Sequence, residues 1–300
     1  MPNDPITVFG GSGFLGSAIV HELLGAGHAV RIAARQPTLP AWVKENDPLS
    51  LVSADIRDEA SVADALDGAG GVVNAVSLYV QGRKTRFDEI HVEGAGRLAR
   101  LATAAGIKRL VHISGIGSDS RSRSPYVRAR ARGEAEVIAE FPKAVIVRPS
   151  VLFGPRDAFL SNLAELTRLP VIPLFGRGDT LLQPVHVVDV ARAVVRLLGG
   201  NPPHWRIYEL GGPDVIRYRD ILTLLLTYLE RRRPLLPVPF PLWHLVALAA
   251  SVLPNPPLTR DQVILMQQDN CVSEAVGTFA ELDVVPRALR DCLPECLTTT

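Results

Sequence analysis

The run Val8-Phe9-Gly10-Gly11-Ser12-Gly13-Phe14-Leu15-Gly16 limits what this chain can fold into more than any other stretch. Residues 6–9 are a short apolar run, as a buried parallel strand requires. Residues 14–25 follow as a helix carrying Ala18, Ile19, Val20, Leu23 and Leu24. Glycines at 11, 13 and 16 fit G-x-G-x-x-G, and those at 10, 13 and 16 fit G-x-x-G-x-x-G. Between a strand and a helix, either spacing makes a tight turn, lets backbone approach a pyrophosphate and aims a helix N-terminus at its charge. Gly10, Ser12, Gly13, Phe14, Leu15 and Gly16 are therefore the first candidate cofactor contacts.

The second strand, expected over residues 29–33, decides which nucleotide suits that loop. No acidic residue stands between Glu22 and Glu45. An NAD site needs a carboxylate about 20 residues beyond the glycines, for the ribose 2′-hydroxyl. Arg35 stands there instead, and a guanidinium fork suits a 2′-phosphate. The expected cofactor is NADP(H), with Arg31 as a second candidate for the phosphate.

Further strand-like runs lie at 50–53, 72–76, 109–113 and 144–148, separated by helix-like stretches near 58–67, 87–105 and 126–140. Alternation of this kind implies right-handed βαβ units and an α/β fold, a doubly wound parallel sheet of Rossmann type. Ligands bind such sheets at the carboxyl ends of the strands. The glycine loop, Arg35, Asp55, Asn74 and Ser114 all fall at those ends. After residue 150 the texture changes: Pro149, Pro155, Pro170, Pro173 and Pro184 break the chain into short pieces. Helices are expected near 157–168, 187–199, 217–231, 241–253 and 259–269, with one strand at 206–210 returning to the sheet. The expected division is a dinucleotide-binding domain over 1–150 and a smaller, mostly helical lobe over 151–300 that forms a lid or docking surface.

A net charge of +1 gives no global case for nucleic acid. Cys271, Cys292 and Cys296 are too few and too late in the chain for a disulfide framework. Cys292 and Cys296 lack the paired histidines of a metal site, so no metal is expected. No signal or transit segment is recognisable before the first strand, and no apolar run reaches the roughly 18 residues of a spanning helix.

Over its whole length the chain resembles an extended short-chain dehydrogenase/reductase. Ala54-Asp55-Ile56 resembles that family's adenine contact after the third strand, and Val73-Asn74-Ala75 its segment after the fourth. Residues 148–155 resemble its loop along the nicotinamide, and residues 183–191 a segment before a helix of the second lobe. The resemblance implies cofactor roles for Asp55, Ile56, Asn74, Ala75, Val76, Ser114 and Pro149. Ser124-Pro125-Tyr126-Val127-Arg128-Ala129, Gly133-Glu134 and a tail running from Pro257-Leu258-Thr259-Arg260-Asp261-Gln262-Val263 to Asp269-Asn270 resemble an atypical subgroup more closely. That subgroup contains the nucleotide-binding accessory subunit of respiratory complex I. By its residues alone the tail is a helix start, with Thr259 as N-cap.

Enzymes of the family pair a tyrosine with a lysine one helical turn later, on the same helix face. The tyrosine exchanges the proton; the lysine holds the nicotinamide ribose and lowers the tyrosine pKa. Here Tyr126 is kept and Arg130 replaces the lysine. Gly115 stands where the assisting serine aligns, with Ser118 as a substitute if the loop doubles back. Tyr126 and Arg130 are thus the candidate catalytic pair of an incomplete set, and also candidate cofactor contacts. His91 and His112 are expected as satisfied core histidines and Asp189 as a helix-start carboxylate. Arg121, Arg123, Arg128, Arg130 and Arg132 form a basic run, partly near the cofactor.

Residues 240–253 are apolar around most of a helix too short to span a bilayer. Buried core, a docking helix and an interfacial segment after Arg231-Arg232-Arg233 all remain open. Three functions are compatible. The first is an NADP(H)-holding accessory subunit of a respiratory NADH–quinone oxidoreductase (complex I), peripheral on the cytoplasmic side of a bacterial inner membrane or the equivalent matrix side. The second is an active NADPH-dependent reductase, dehydrogenase or epimerase. The third is a nucleotide-sensing regulatory protein. The damaged catalytic set and the tail favour the first.

Overall fold

A computed structural model describes residues 4–82, 85–199, 204–253, 256 and 258–297. The first half alternates β1 (Ile6–Phe9), α1 (Phe14–Gly25), β2 (Val30–Ala34), β3 (Leu49–Ser53), α2 (Glu59–Leu66), β4 (Gly71–Asn74), α3 (Ala95–Ala104), β5 (Leu110–Ile113), α4 (Pro125–Glu140) and β6 (Val145–Pro149). The second half continues with β7 (Leu152–Phe153), α5 (Ala158–Leu166), β8 (Ile172–Phe175), β9 (Leu181–Leu182), β10 (Val185–His186), α6 (Val187–Leu198), β11 (Ile207–Leu210), β12 (Ile216–Arg217), α7 (Tyr218–Tyr228), β13 (Leu235–Val238), α8 (Phe240–Ala250), α9 (Arg260–Leu265) and α10 (Leu289–Leu297).

Seven strands form a parallel sheet in the order β11-β6-β5-β4-β1-β2-β3. Strand order reverses between β1 and β4, so the glycine loop leaves the sheet at the switch point, where such sheets bind ligands. One face is covered by α1 and α6, whose Ile19, Val20, Leu23, Val190, Val194 and Leu197 share a core with Val8, Val73 and Val147. The other face is covered by α2, α3 and α4 through Val62, Leu66, Leu98, Ala102 and Val137. A third core lies away from the sheet, between α5, β8, α7 and α10.

The expected sheet strands and large helices are present, with local departures. The helix expected over 87–105 passes Glu89–Gly94 as a π-helical turn before α3. There Gly133 of α4 comes so close that a Cβ on it would overlap the His91 carbonyl oxygen and lie 2.8 Å from its carbon. The helix expected over 259–269 stops at Leu265; Asp269 instead accepts from the Leu181 amide at 2.8 Å, and the Asn270 amide donates to the Leu181 carbonyl at 2.8 Å. The short ladders β7–β10, β9–β12 and β8–β13, and α10 with Pro294 inside it, are further elements. Pro254 and Pro257, which flank the apolar segment and open the tail motif, lie outside the described residues.

Candidate functional site

Because the sheet is parallel, the carboxyl ends of β1, β2, β4, β5 and β6 open on one edge. Gly10 follows β1 with φ +77°, and a Cβ on it would lie 2.8 Å from the Ala75 carbonyl oxygen and 3.0 Å from the Val76 nitrogen. A Cβ on Gly16 would overlap the Gly10 carbonyl oxygen and lie 2.8 Å from its carbon. Gly13 is the N-cap residue of α1. Both positions that tolerate no side chain, 10 and 16, belong to the G-x-x-G-x-x-G spacing. The helix begins without a side-chain cap and without an acid in its first turn, leaving its amide end to an anion. Ser12, Gly13 and Phe14 are exposed, Leu15 and Gly16 buried. The Phe14 ring reaches the loop after β6, its Cζ 3.4 Å from where a Cβ on Gly154 would sit.

Arg35 is exposed just beyond β2, and its carbonyl accepts from the Ser53 hydroxyl at 3.2 Å. Arg31 does not share that edge: its Nη1 donates to the Ala65 and Asp67 carbonyls at 2.9 and 2.7 Å. It serves the C-terminal end of α2, where a cation meets the negative end of the helix, and is removed as a phosphate contact. Asp55 follows β3 and is held by Arg57, whose Nη2 donates to it at 2.6 Å. That hydrogen bond and charge keep the Asp55 carboxyl below its ordinary range despite some burial. Ile56 is buried against the position of Gly94.

Asn74 is spent on the fold. Its Oδ1 accepts from the Val76 amide at 3.2 Å, and its Nδ2 lies 3.1 Å from His112 Nδ1. That pins Ala75 and Val76 beside Gly10. His91 bonds the Leu78 backbone, as expected of a core histidine. Burial pushes both His91 and His112 down to about 4, so both are neutral near pH 7.

Tyr126 and Arg130 sit one turn apart on α4, which starts at the N-cap Ser124 with Pro125 in its first turn. Arg130 Nη1 donates to the Tyr126 hydroxyl at 3.2 Å, and its Cζ lies 5.2 Å from the centre of the ring. Phe87 and His91 pack on the same ring at 5.4 and 5.6 Å, and Tyr79 at 5.9 Å. Gly115 is where the replacement of lysine is accommodated: a Cβ there would overlap Arg130 Nη2 and lie 2.6 Å from Cζ. Ser118 does double back, but its hydroxyl bonds Ser114 Oγ at 3.1 Å and the Gly115 carbonyl at 3.0 Å. The rest of the basic run is dispersed. Arg128 donates to the Ser122 carbonyl at 2.7 Å and Arg132 to Asp88 at 2.5 Å.

Two arrangements were not read from the sequence. The first is a buried chain of charges: Ser114 bonds Glu134, and Arg148 donates to Glu134 at 2.6 Å and to Glu209 at 3.1 Å. Glu209 in turn accepts from the Ser273 amide and hydroxyl. Burial works against the Arg148 charge, but the two carboxylates outweigh it and hold its pKa above the ordinary value. The second is the role of the tail. Asp261 bonds Ser124, the N-cap of the Tyr126 helix. Asn270 Oδ1 accepts from the Ser150 hydroxyl at 2.7 Å and the Val151 amide at 3.1 Å, beside the buried Pro149. The tail motif thus ties together the elements at the edge, a role its residue types alone do not reveal.

Beside Gly154, where a Cβ would lie 3.6 Å from His186 Nε2 as well as 3.4 Å from Phe14, His186, Cys292 and Glu295 bring their ligating atoms within 4.8 Å of one another. The Val188 amide and Arg287 both donate to His186 Nδ1, at 3.2 and 2.7 Å. This places the ring proton on Nε2, which faces Glu295 at 3.0 Å, and withdraws that atom from metal coordination. Arg287 also holds Asp189, in the first turn of α6, at 3.1 Å.

The model of the NAD dependent epimerase/dehydratase family matches residues 6–211. The alpha subcomplex subunit 9 of mitochondrial NADH dehydrogenase [ubiquinone] 1 from Arabidopsis thaliana is 31% identical over 300 residues, covering 95% of this chain and 75% of that protein. A ceramide reductase of Caulobacter vibrioides is 29% identical over 63% of this chain and 59% of its own length. The UDP-glucose 4-epimerase of Thermotoga maritima superposes with a TM-score of 0.72 over 96% of each chain at 18% identity, a likeness of fold.

Proposed function

We propose, for a chain that belongs to the NAD dependent epimerase/dehydratase family and to the complex I alpha subcomplex subunit 9 branch within it, that it holds NADP(H) as an accessory subunit of a respiratory NADH–quinone oxidoreductase. The observation that carries the accessory role is Arg130 lying over Gly115, which fills the space an assisting serine needs. Loss of general acid–base help removes typically 10²–10⁴ in rate.

The residues present fit such a nucleotide. Gly10 and Gly16 leave the backbone bare beside an uncapped helix end, a cradle for a pyrophosphate. Arg35 would pair with the 2′-phosphate and Asp55 with Ile56 would border the adenine. Ala75, Val76 and Pro149 would line the nicotinamide half, with Tyr126 and Arg130 at its ribose. Bound there, the nucleotide supplies a hydride in the active enzymes of the family; in this chain its work is structural. A ligand that binds only the folded protein adds about 2.7 kcal/mol at a hundredfold excess over Kd. In this reading residues 1–150 hold the nucleotide and 151–300 offer the docking surface, on the cytoplasmic side of a bacterial inner membrane or the equivalent matrix side. Among the described residues no helix is long and apolar enough to cross a membrane.

Gentle detergent extraction, followed by identification of co-migrating chains and of the bound nucleotide, tests this reading. Co-migration with the respiratory complex and recovery of NADP(H) support it; a free homo-oligomer, or a preference for NAD, overturns it.

A second reading, an NADPH-dependent reductase, rests on the retained Tyr126 hydroxyl held by Arg130 at 3.2 Å. Oxidation of bound NADPH by carbonyl substrates, abolished in Tyr126→Phe, would establish it.

A further inference from the structure

The apolar segment is a surface feature. On α8, Trp243 and Ala247 face the protein: the Trp243 indole donates to the Leu174 carbonyl at 2.9 Å and its ring packs on Phe175 at 4.5 Å, while Ala247 is buried. Leu242, Leu245, Val246 and Ala249 recur at i, i+3, i+4 and i+7, the spacing of one helix face, and that face is in solvent. Leu245 is 60% exposed, Leu248 68%, and Val252 just beyond the helix 84%. A monomer normally exposes such residues singly rather than as a stripe.

Within the segment that carries the stripe the charges have one sign. No Asp or Glu occurs between Glu230 and Asp261, while Arg231, Arg232, Arg233 and Arg260 do. Arg231 turns inward to the Thr167 hydroxyl at 2.6 Å, whereas Arg232 and Arg233 are exposed. Next to the start of α8 lies a cleft of about 670 Å³ lined by Arg177, Arg217, Arg219, Asp179 and Asp269, in which Arg177 and Arg219 are both paired with Asp179, at 2.9 and 3.0 Å. Its loop carries Gly176, where a Cβ would lie 2.8 Å from the Phe240 ring. The cleft and the helix are therefore built on the same turn.

We propose that α8 and its arginines are a monotopic docking face for a bilayer containing anionic phospholipid. The exposed stripe enters the acyl boundary while Arg232 and Arg233 meet headgroup phosphates, the arrangement of an interfacial helix. A second copy of this chain is a poor occupant, because self-docking sets arginine against arginine with no acid in the segment. The inference stands independently of the nucleotide and of the respiratory complex.

The test is co-sedimentation of the full chain with phosphatidylcholine vesicles and with vesicles containing phosphatidylglycerol. Binding to the anionic vesicles, weakened by salt, is expected. Leu245→Glu with Leu248→Glu should lower vesicle affinity at least about tenfold, with the thermal midpoint and nucleotide affinity unchanged. Arg232→Ser with Arg233→Ser should erase the preference for anionic lipid. A chain that stays in the supernatant with both vesicles, or a leucine double variant that binds as the wild type does, overturns the proposal. So does a stripe required only for association with a purified membrane complex, or only for self-association.

Discussion

The Arg130 guanidinium lies against the Cα of Gly115 where a serine side chain would project. The arginine in place of lysine and the glycine in place of serine are therefore one coupled change: with residue 115 as serine, the guanidinium loses its seat beside Tyr126. Gly115→Ser should swing the flexible guanidinium outward and break its bond to Tyr126. Nucleotide affinity should fall about tenfold with little change in melting. Adding Arg130→Lys should restore it. Titration calorimetry on the wild type and the two variants checks this, and a single variant that binds as the wild type does contradicts it.

Arg35→Ala should weaken NADP(H) binding about ten- to a hundredfold, the loss of one charge-assisted contact, and leave NAD nearly unaffected. Parallel titrations with both nucleotides measure the ratio.

Gly16→Ala sets a methyl group against the Gly10 carbonyl, a backbone atom that cannot swing aside. The expected cost is about 1–3 kcal/mol or more, with nucleotide binding lost in parallel. Urea unfolding midpoints read the first effect and calorimetry the second. Gly25→Ala, where a Cβ meets nothing within 4 Å, is the control and should be neutral or stabilising.

Arg148→Met would leave Glu134 and Glu209 buried together without their shared cation. Removing one partner of a buried ion network costs about 3–5 kcal/mol. Part of this should be recovered in Arg148→Met with Glu134→Gln, which denaturation of both variants would show.

His91 and His112 give stability a pH dependence of definite sign. Each is held near 4, below its ordinary 6.5, so between those values the unfolded chain binds protons that the native state refuses. Their contribution is complete above about pH 6.5 and is lost as pH falls toward 4. From pH 7 to pH 5 the loss is about 2 kcal/mol for each histidine. His91→Gln should remove its own share, about 2 kcal/mol, from the fall in unfolding free energy between pH 7 and pH 5.

The sheet was legible because its central strands are apolar runs bounded by turn residues, and the glycine loop fixed where the chain crosses at β1. What escaped has identifiable causes. The strands β7, β9, β10 and β12 are two residues long, too short to show a period, and Pro237 interrupts β13. Pro294 hid α10. At the site, Tyr126, Arg130 and Gly115 were visible as departures from a motif, but their mutual contact was not, since it joins a loop after β5 to a helix. Arg31 and Arg35 look equivalent as letters; they differ by position along β2, Arg31 lying near its amino end against the close of α2 and Arg35 just past its carboxyl end. Glu134 and Glu209 are 75 residues apart and meet only through Arg148.

The tail contacts also set an order in time. Ser124 is bonded by a residue 137 positions later, and Ser150 by one 120 positions later. Synthesis runs from the N-terminus at about 5–20 residues per second, so every strand of the sheet leaves the ribosome before Asp261 and Asn270 exist. The rim of the nucleotide edge is fastened after the sheet, by residues made later than all of its strands. Until those residues are made, the N-cap of the Tyr126 helix and the turn after β6 lack these two side-chain ties.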